Sequence, residues 1–408
     1  MKLFSVIIFV MSRLNVFFVR TRWNFYSIAT LFGVVEDFPF VSPSFIDFEK
    51  IESIDYPERS IFCFSLNTVF YNQNREKIIS ILQNLKNKKR CFFIAGGPHC
   101  HFNPPSLLDD GFDAVSVGSG EKNIISIIFD IKNGGLEKSL YNEVVEDLNE
   151  YKPFPTSYFR YKPIEITRGC PHCCSFCQTS FIFGTKLLHR SCENILKFVD
   201  IAFKHGIKDF RFISPNALSY GSLASGPNPD SIEELLSGIR KILGRDGRIF
   251  FGSFPSEVRP EFVNEEVLKI FKKYVDNKRL IIGAQSGSER LLKLSHRGHT
   301  KQDIFKAIDL SLDFGFTPDV DIIFGMPNEE EEDILETLNL LNSYLSKNVR
   351  FHIHYFMPLP GTPWQDKLPS KIPQSLIRRL EYYTGLGLIW GQWKQQQLLS
   401  ELPPSSIK

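Results

Sequence analysis

From Pro163 onward, strand-length apolar runs alternate with amphipathic helical stretches six times in succession, and no other feature of the sequence limits the fold as much. A repeated strand-then-helix pattern buries its apolar faces in parallel α/β architecture. Strands are expected at 164–167, 209–213, 249–253, 280–284, 320–324 and 351–356, and helices at 193–205, 232–243, 265–276, 301–314, 330–346 and 373–383. Gly206 and Gly315 stand where helices should stop, and Thr300 with Asp303 has the spacing of a capping box. Six units predict a partial (β/α)6 TIM-like barrel, in which chemistry belongs in the loops at the carboxyl ends of the strands.

A second alternating series precedes it. Strands are expected at 15–21, 60–66, 91–95 and 114–117, with helices at 26–36, 74–86 and 121–131, the last stopped by Asn133-Gly134-Gly135. That pattern fits a doubly wound, Rossmann-like sheet. The stretch 141–155 is polar and bears prolines, so the expected division is a first domain at 1–140, a linker at 141–162, the barrel at 163–390 and a tail at 391–408. The opening run MKLFSVIIFVM is shorter than the roughly 20 apolar residues that span a bilayer. Arginines at 13, 20 and 22 follow it and no small-residue cleavage site stands out, so it reads as a strand or extended terminus and no membrane association is expected. Lys and Arg total 48 against 46 Asp and Glu, which leaves no overall field to draw the chain onto nucleic acid or anionic lipid. Four of eight cysteines crowd into one short run, unlike a disulfide framework, and a reducing cytoplasm is expected.

That run is Thr167-Arg168-Gly169-Cys170-Pro171-His172-Cys173-Cys174-Ser175-Phe176-Cys177, in the loop after the first barrel strand. Thiolates at Cys170, Cys174 and Cys177 can close around one cubane cluster and leave its fourth iron open to a small molecule. Zinc is the competing reading. It asks for four ligands, and no second CxxC pair occurs later, so Cys173 and His172 would have to complete a strained site.

With its CxxxCxxC spacing, its place after the first strand and the aromatic Phe176 before the last cysteine, the loop resembles that of the radical S-adenosylmethionine (SAM) superfamily. The resemblance implies that Cys170, Cys174 and Cys177 hold a 4Fe-4S cluster, that SAM binds the open iron, and that an electron from a ferredoxin or flavodoxin cleaves SAM to a 5′-deoxyadenosyl radical. Later segments are similar to those of methylthiotransferase-like members. Ile282-Gly283-Ala284-Gln285-Ser286-Gly287-Ser288 implies SAM contacts from Gln285 and Ser286, Arg297-Gly298-His299-Thr300 places Arg297 on the SAM carboxylate, and Asp321-Ile322-Ile323-Phe324-Gly325 puts Ile323 and Gly325 beside the adenine. Many relatives end their second strand in Gly-Gly-Glu to hold the SAM ammonium, whereas this chain has Ile213-Ser214-Pro215-Asn216. Ser214, Asn216 or, from the third strand, Glu257 is expected to take that contact.

The segments 93–99, 111–115 and 118–121 are similar to the cobalamin-binding domain that precedes the barrel in many radical SAM enzymes. The resemblance implies corrinoid contacts from Ser65, Thr68, Gly96, Gly97, Gly118 and Gly120. There is no Asp-x-His-x-x-Gly segment, so no histidine would replace the lower cobalt ligand by that route; His99, Cys100 and His101 read as loop contacts. An archaeal-type subgroup of such proteins is the resemblance as a whole. It implies cobalamin-dependent methyl transfer or rearrangement on an unknown substrate, with methylthiotransferase-like sulfur insertion, or a non-catalytic iron–sulfur and cobalamin-binding role, as the alternatives. Cys63, Cys91 and Cys100 do not fall in the local pattern of a second cluster, and only 391–408 follows the last expected helix where relatives carry an RNA-binding barrel, so a nucleic-acid substrate is not supported.

Overall fold

The computed structural model describes residues 13–400 apart from Lys89, Tyr158, Ala224 and Ser225, so the apolar run at 1–11 lies outside the described residues. Contacts divide the chain into two units, Met1–Val145 with Phe154–Arg160, and Glu146–Pro153 with Tyr161–Lys408.

In the first unit, strands β1 (Leu14–Arg20), β2 (Val41–Asp47), β3 (Ile61–Ser65), β4 (Phe92–Gly96), β5 (Ala114–Gly118) and β6 (Leu140–Glu143) pair in parallel in the order β2-β1-β3-β4-β5-β6. Helices Phe25–Val35, Thr68–Lys88 and Gly120–Asn133 connect them. Strand alternation feeds two cores: Phe62 and Phe64 of β3 pack on one face, Ile61 and Cys63 on the other. Two strands differ from expectation. Pro43 in β2 has no N–H to give, and the strand is tolerated because it pairs only with β1 at the sheet edge. β6 is the opposite edge, four residues long and only partly buried, which is why it reads as part of a polar linker at 141–162. Strand order reverses between β1 and β3. There Asn24 Nδ2 donates to Val19 O (2.9 Å) and Ser65 O (3.0 Å), tying the two carboxyl ends together.

The second unit contains β7 (Ile164–Glu165), β8 (Thr167–Arg168), β9 (Leu188–His189), β10 (Asp209–Ile213), β11 (Arg248–Phe250), β12 (Arg279–Gln285), β13 (Thr317–Phe324), β14 (Arg350–Tyr355) and β15 (Ile389–Trp390). Parallel sheets β11-β10-β7 and β12-β13-β14-β15 meet through a bridge between Val258 and Ile282 and a bond from Ile281 N to Gly252 O (3.0 Å), which yields a partial barrel. Helices Cys192–Lys204, Pro229–Leu243, Glu265–Tyr274, Lys301–Asp313, Glu331–Asn342 and Gln374–Gly385 follow the strands, and Thr300 with Asp303 forms a complete capping box.

The expected strand at 164–167 is split. Ile164–Glu165 pairs with β10, while Thr167–Arg168 turns away to form an antiparallel ribbon with Leu188–His189 at the base of the cysteine loop. The segment expected as a tail contains the helix Trp393–Ser400, whose Gln396 Oε1 accepts from Tyr355 N (2.9 Å), so it belongs to the wall of the second unit. Among the described residues no helix is long and apolar enough to cross a membrane.

Candidate functional site

Gly169 opens the cysteine loop at φ +84°, where a Cβ would sit 2.1 Å from Lys186 O, so only glycine lets the chain enter it. Beyond it the loop is tied from several sides. Cys170 N donates to Gly184 O (3.0 Å), Ser180 Oγ to Cys170 O (2.7 Å), Cys177 N to Cys174 O (3.0 Å), Ser175 N to Ser295 O (2.9 Å) and Trp364 N to Ser175 O (3.2 Å). Cys170, Cys174 and Cys177 thereby line one cavity of about 460 Å³ at the carboxyl ends of the barrel strands. Cys173 does not line it. It sits at φ +50° with its N–H on Ser180 Oγ (3.2 Å). Burial raises the thiol pKa of Cys170 and of Cys177, with the neighbouring cysteines adding to the rise.

Two buried guanidiniums face this sulfur. Arg297 Nη1 is 3.6 Å and Arg259 Nη1 3.9 Å from Cys174 Sγ. Arg297 Nη2 also donates to Gly283 O (2.6 Å) and lies 3.3 Å from Glu257 Oε1. A Cβ on Gly283 would come within 2.6 Å of Arg297 Nη2 and 2.7 Å of Glu257, so the glycine of that segment makes room for this ion pair. Burial opposes the charge of Arg297, but Glu257 and Cys174 outweigh it and the pKa is raised. Burial, together with both guanidiniums, holds His172 down at about 4, a neutral imidazole. The donor set fits an anionic iron–sulfur group: three sulfurs in one cavity, two fixed cations behind them, and Arg297 Nε buried without a hydrogen-bond partner among the described residues.

A second cavity of about 250 Å³ shares Glu257, Asp321 and His354 with the first and is lined by Phe176, Gln285, Ile323, Phe356 and Met357. A register shift between Gly283 and Gln285 and φ +72° at Gln285 turn that side chain into it. Phe176, Glu257, Gln285, Arg297 and Ile323 therefore converge with the cysteines. Ser214 reaches the first cavity, but its hydroxyl donates to Asn216 O (2.7 Å).

Three residues expected at the co-substrate have other roles. Asn216 Oδ1 accepts from Leu218 N and Arg259 N (both 3.2 Å), which holds the turn after β10. Ser286 Oγ caps Ser288 N (3.1 Å) and lies 3.3 Å from Thr337 Oγ1. Gly325 lines neither cavity; a Cβ there would meet the Tyr355 ring at 2.6 Å. Sequence patterns mark these positions as polar or small, and only packing shows that Asn216 Oδ1 and Ser286 Oγ are already engaged and that Gly325 faces Tyr355.

In the first unit, Ser65, Gly96 and Gly118 stand at the carboxyl ends of β3, β4 and β5. Ser65 Oγ is 2.9 Å from Ser27 Oγ, and Thr68 Oγ1 is 3.3 Å from His99 Nδ1. Gly97 (φ +95°) is required by the chain itself, since a Cβ would lie 2.7 Å from Leu66 N and O; at Gly118 (φ +81°) it would lie 3.0 Å from Glu143 O, and at Gly120 3.1 Å from Leu31. Cys63, Cys91 and Cys100 are buried; burial pushes Cys63 up to about 12, and Cys100 Sγ donates to Gly96 O (3.0 Å).

The site also contains residues that strand patterns alone did not mark: Asp319 and Asp321 of β13, His352 and His354 of β14, and Trp390 of β15. The His-x-His alternation on an expected strand was the available signal.

Glu329 braces the loop after β13 by accepting from Gly325 N, and burial raises its carboxyl pKa from 4.5 to about 8. The folded protein therefore keeps a proton there that the unfolded chain releases above about 4.5. This contribution to stability is complete below that pH and lost as pH rises through about 8. Glu329→Gln should flatten the decline in urea midpoint across that window. An unchanged slope would mean that another group carries it.

Residues 164–341 match the profile of the Radical SAM superfamily. The chain is 27% identical over 325 residues to a tRNA-2-methylthio-N(6)-dimethylallyladenosine synthase of Thermotoga petrophila, covering 77% of this chain and 70% of that protein. It is 28% identical over 225 residues to the uncharacterized protein MJ1620 of Methanocaldococcus jannaschii, covering 53% of this chain and 43% of that one. Among solved structures, the radical S-adenosylmethionine methyltransferase TsrM from Kitasatospora setae, with cobalamin and a 4Fe-4S cluster bound, shares the fold at a TM-score of 0.67 and 16% identity, over 87% of this chain and 74% of that one. The cysteine loop, the strands that carry it and the matched profile coincide, and residues 164–341 of this chain are a radical SAM domain.

Proposed function

We propose that this protein holds a 4Fe-4S cluster on Cys170, Cys174 and Cys177, cleaves SAM reductively to a 5′-deoxyadenosyl radical, and uses cobalamin for methyl transfer to, or rearrangement of, its substrate. The observation that carries this reading is the meeting of three cysteines and two buried arginines in one cavity at the carboxyl ends of the strands. When bound, the cluster supplies the electron that breaks the carbon–sulfur bond of SAM. Arg259 and Arg297 offset the negative charge of the sulfur ligands. Glu257 is the acceptor for the SAM ammonium, Gln285 a polar contact, and Phe176 and Ile323 are the apolar wall beside the adenine. The electron comes from a ferredoxin- or flavodoxin-type donor. All eight cysteines are free thiols, in keeping with a reducing cytoplasm.

Cobalamin is assigned to the first unit because the fold shared with TsrM, whose structure contains cobalamin and a 4Fe-4S cluster, spans 87% of this chain. Ser65 and Thr68, beside Gly96, Gly97, Gly118 and Gly120, would receive it at the strand ends. Sulfur insertion is the second reading, favoured by the Thermotoga relative that aligns over 77% of this chain. The burial of Cys63, Cys91 and Cys100 weighs against a second cluster in the first unit and so against that reading.

Anaerobically reconstituted, reduced protein made in a cobalamin-replete host should release 5′-deoxyadenosine from SAM and retain cobalamin, with no nitrogen splitting in its cobalt(II) spectrum. SAM cleavage with no cobalamin uptake would retire the cobalamin reading. A cluster-loaded protein that never cleaves SAM would leave only a binding role.

A further inference from the structure

We propose that Asp321 and His352 form an acid–base dyad in which Nε2 of His352 accepts a proton from an N–H or O–H group of the substrate. The register of the barrel builds it. Asp321 of β13 stands opposite His352 of β14, which stands opposite Trp390 of β15, and alternation puts His354 on the same inner face. All four line the cavity that holds the three cysteines.

Proton positions follow from the hydrogen-bond network. Asp321 Oδ1 is 2.9 Å from His352 Nδ1. An ionised carboxylate only accepts, so Nδ1 carries a proton, and in the neutral ring Nε2 then keeps its lone pair. Burial raises the Asp321 pKa, but the bonds from His352 and His354 outweigh it and the carboxyl is held low, hence ionised. Nε2 of His352 has no hydrogen-bond partner among the described residues. Trp390 lies flat on the imidazole, with centroids 3.7 Å apart and planes 4° from parallel, and Trp390 Nε1 is itself anchored on Asp319 Oδ1 (2.8 Å). The ring is thus held by one face and one edge, with the opposite nitrogen available.

The same carboxylate and two histidines bring donor atoms within 4.8 Å of one another, and a divalent cation is the rival occupant. His354 decides against it. Gln396 Oε1 accepts from Tyr355 N, so its Nε2 is a donor facing His354 Nδ1 at 3.4 Å. Nδ1 of His354 must then accept, and its proton lies on Nε2, 3.7 Å from Asp321 Oδ1. A cation could use Nε2 of His354 only by displacing that proton and giving up the Gln396 contact at Nδ1.

In the proton step, the substrate's N–H or O–H bond breaks and its electron pair stays on the heteroatom. The proton becomes the second N–H of an imidazolium whose charge Asp321 offsets, and it leaves later to solvent. His352 is the catalytic residue and Asp321 the positioning residue. The substrate class is one that must shed a heteroatom proton, a heteroaromatic or amide N–H or a hydroxyl, with Trp390 as a flat wall beside it.

This inference rests on the cavity being the reaction chamber of the proposed function, and its test is kept separate from that reading. Cluster-loaded protein is treated anaerobically with diethyl pyrocarbonate, which acylates an accessible unprotonated ring nitrogen, and the adducts are mapped by mass spectrometry. His352 should be modified in preference to His354, and Asp321→Asn should slow modification at position 352 at least about tenfold by releasing the tautomer. Preference for His354, no adduct at 352, an unchanged rate in Asp321→Asn, or stoichiometric Zn2+ uptake that His354→Ala abolishes would each overturn the dyad. Iron content and SAM cleavage, measured on the untreated protein, report independently on the cluster assignment.

Discussion

Replacing Cys170, Cys174 or Cys177 by Ala should drop the iron content of reconstituted protein from about four per chain to background, and SAM cleavage with it. Each of the three faces the same cavity, and no other cysteine among the described residues lines it. Cys173→Ala is the internal control. Its neighbour Cys174 lines the cavity, but Cys173 lies outside it and contributes only a backbone N–H to Ser180, which alanine retains. The same residue has φ +50°, so that variant carries no new backbone strain beyond what cysteine already bears. Iron loading that depends on Cys173, or survives loss of one of the other three, would refute the ligand set.

Arg297→Ala should cost about 1–3 kcal/mol of unfolding free energy in the cluster-free protein, because it strips Gly283 O and the Glu257 carboxylate of the donor they share. The sequence resemblance places this arginine on the SAM carboxylate. Its Nη atoms also reach Cys174, Gly283 and Glu257, so the variant should lose part of its iron as well as its SAM affinity. Arg297→Lys separates the effects. A lysine keeps a positive charge but has a single compact head in place of the planar fork, so stability should largely return while SAM binding stays weak. Chemical denaturation, iron assay and SAM titration on both variants decide it. Full stability and full iron in Arg297→Ala would show that the buried pair has no such role.

The sequence by itself determined the α/β class, the six barrel units and the loop in which Cys170, Cys174 and Cys177 are spaced. Each of those is a local property: period, capping residues such as Thr300 and Asp303, and ligand spacing inside one loop. Edge elements were less legible. β2 tolerates Pro43 and β6 tolerates exposed Leu140 only because one side of each strand is unpaired, a fact of sheet order that no local window contains. The division of labour among polar residues was decided by tertiary structure. Ser214, Asn216 and Glu257 offer similar acceptors on paper, and packing spends Asn216 on Leu218 and Arg259 while leaving Glu257 open to both cavities. Likewise Gly97 reads as a place for a ligand to approach, whereas its missing side chain makes room for the backbone at Leu66. The Asp321, His352 and Trp390 row lies furthest from what a sequence can state. Its members come from three strands, and only parallel register sets them side by side, with Asp321 Oδ1 2.9 Å from His352 Nδ1.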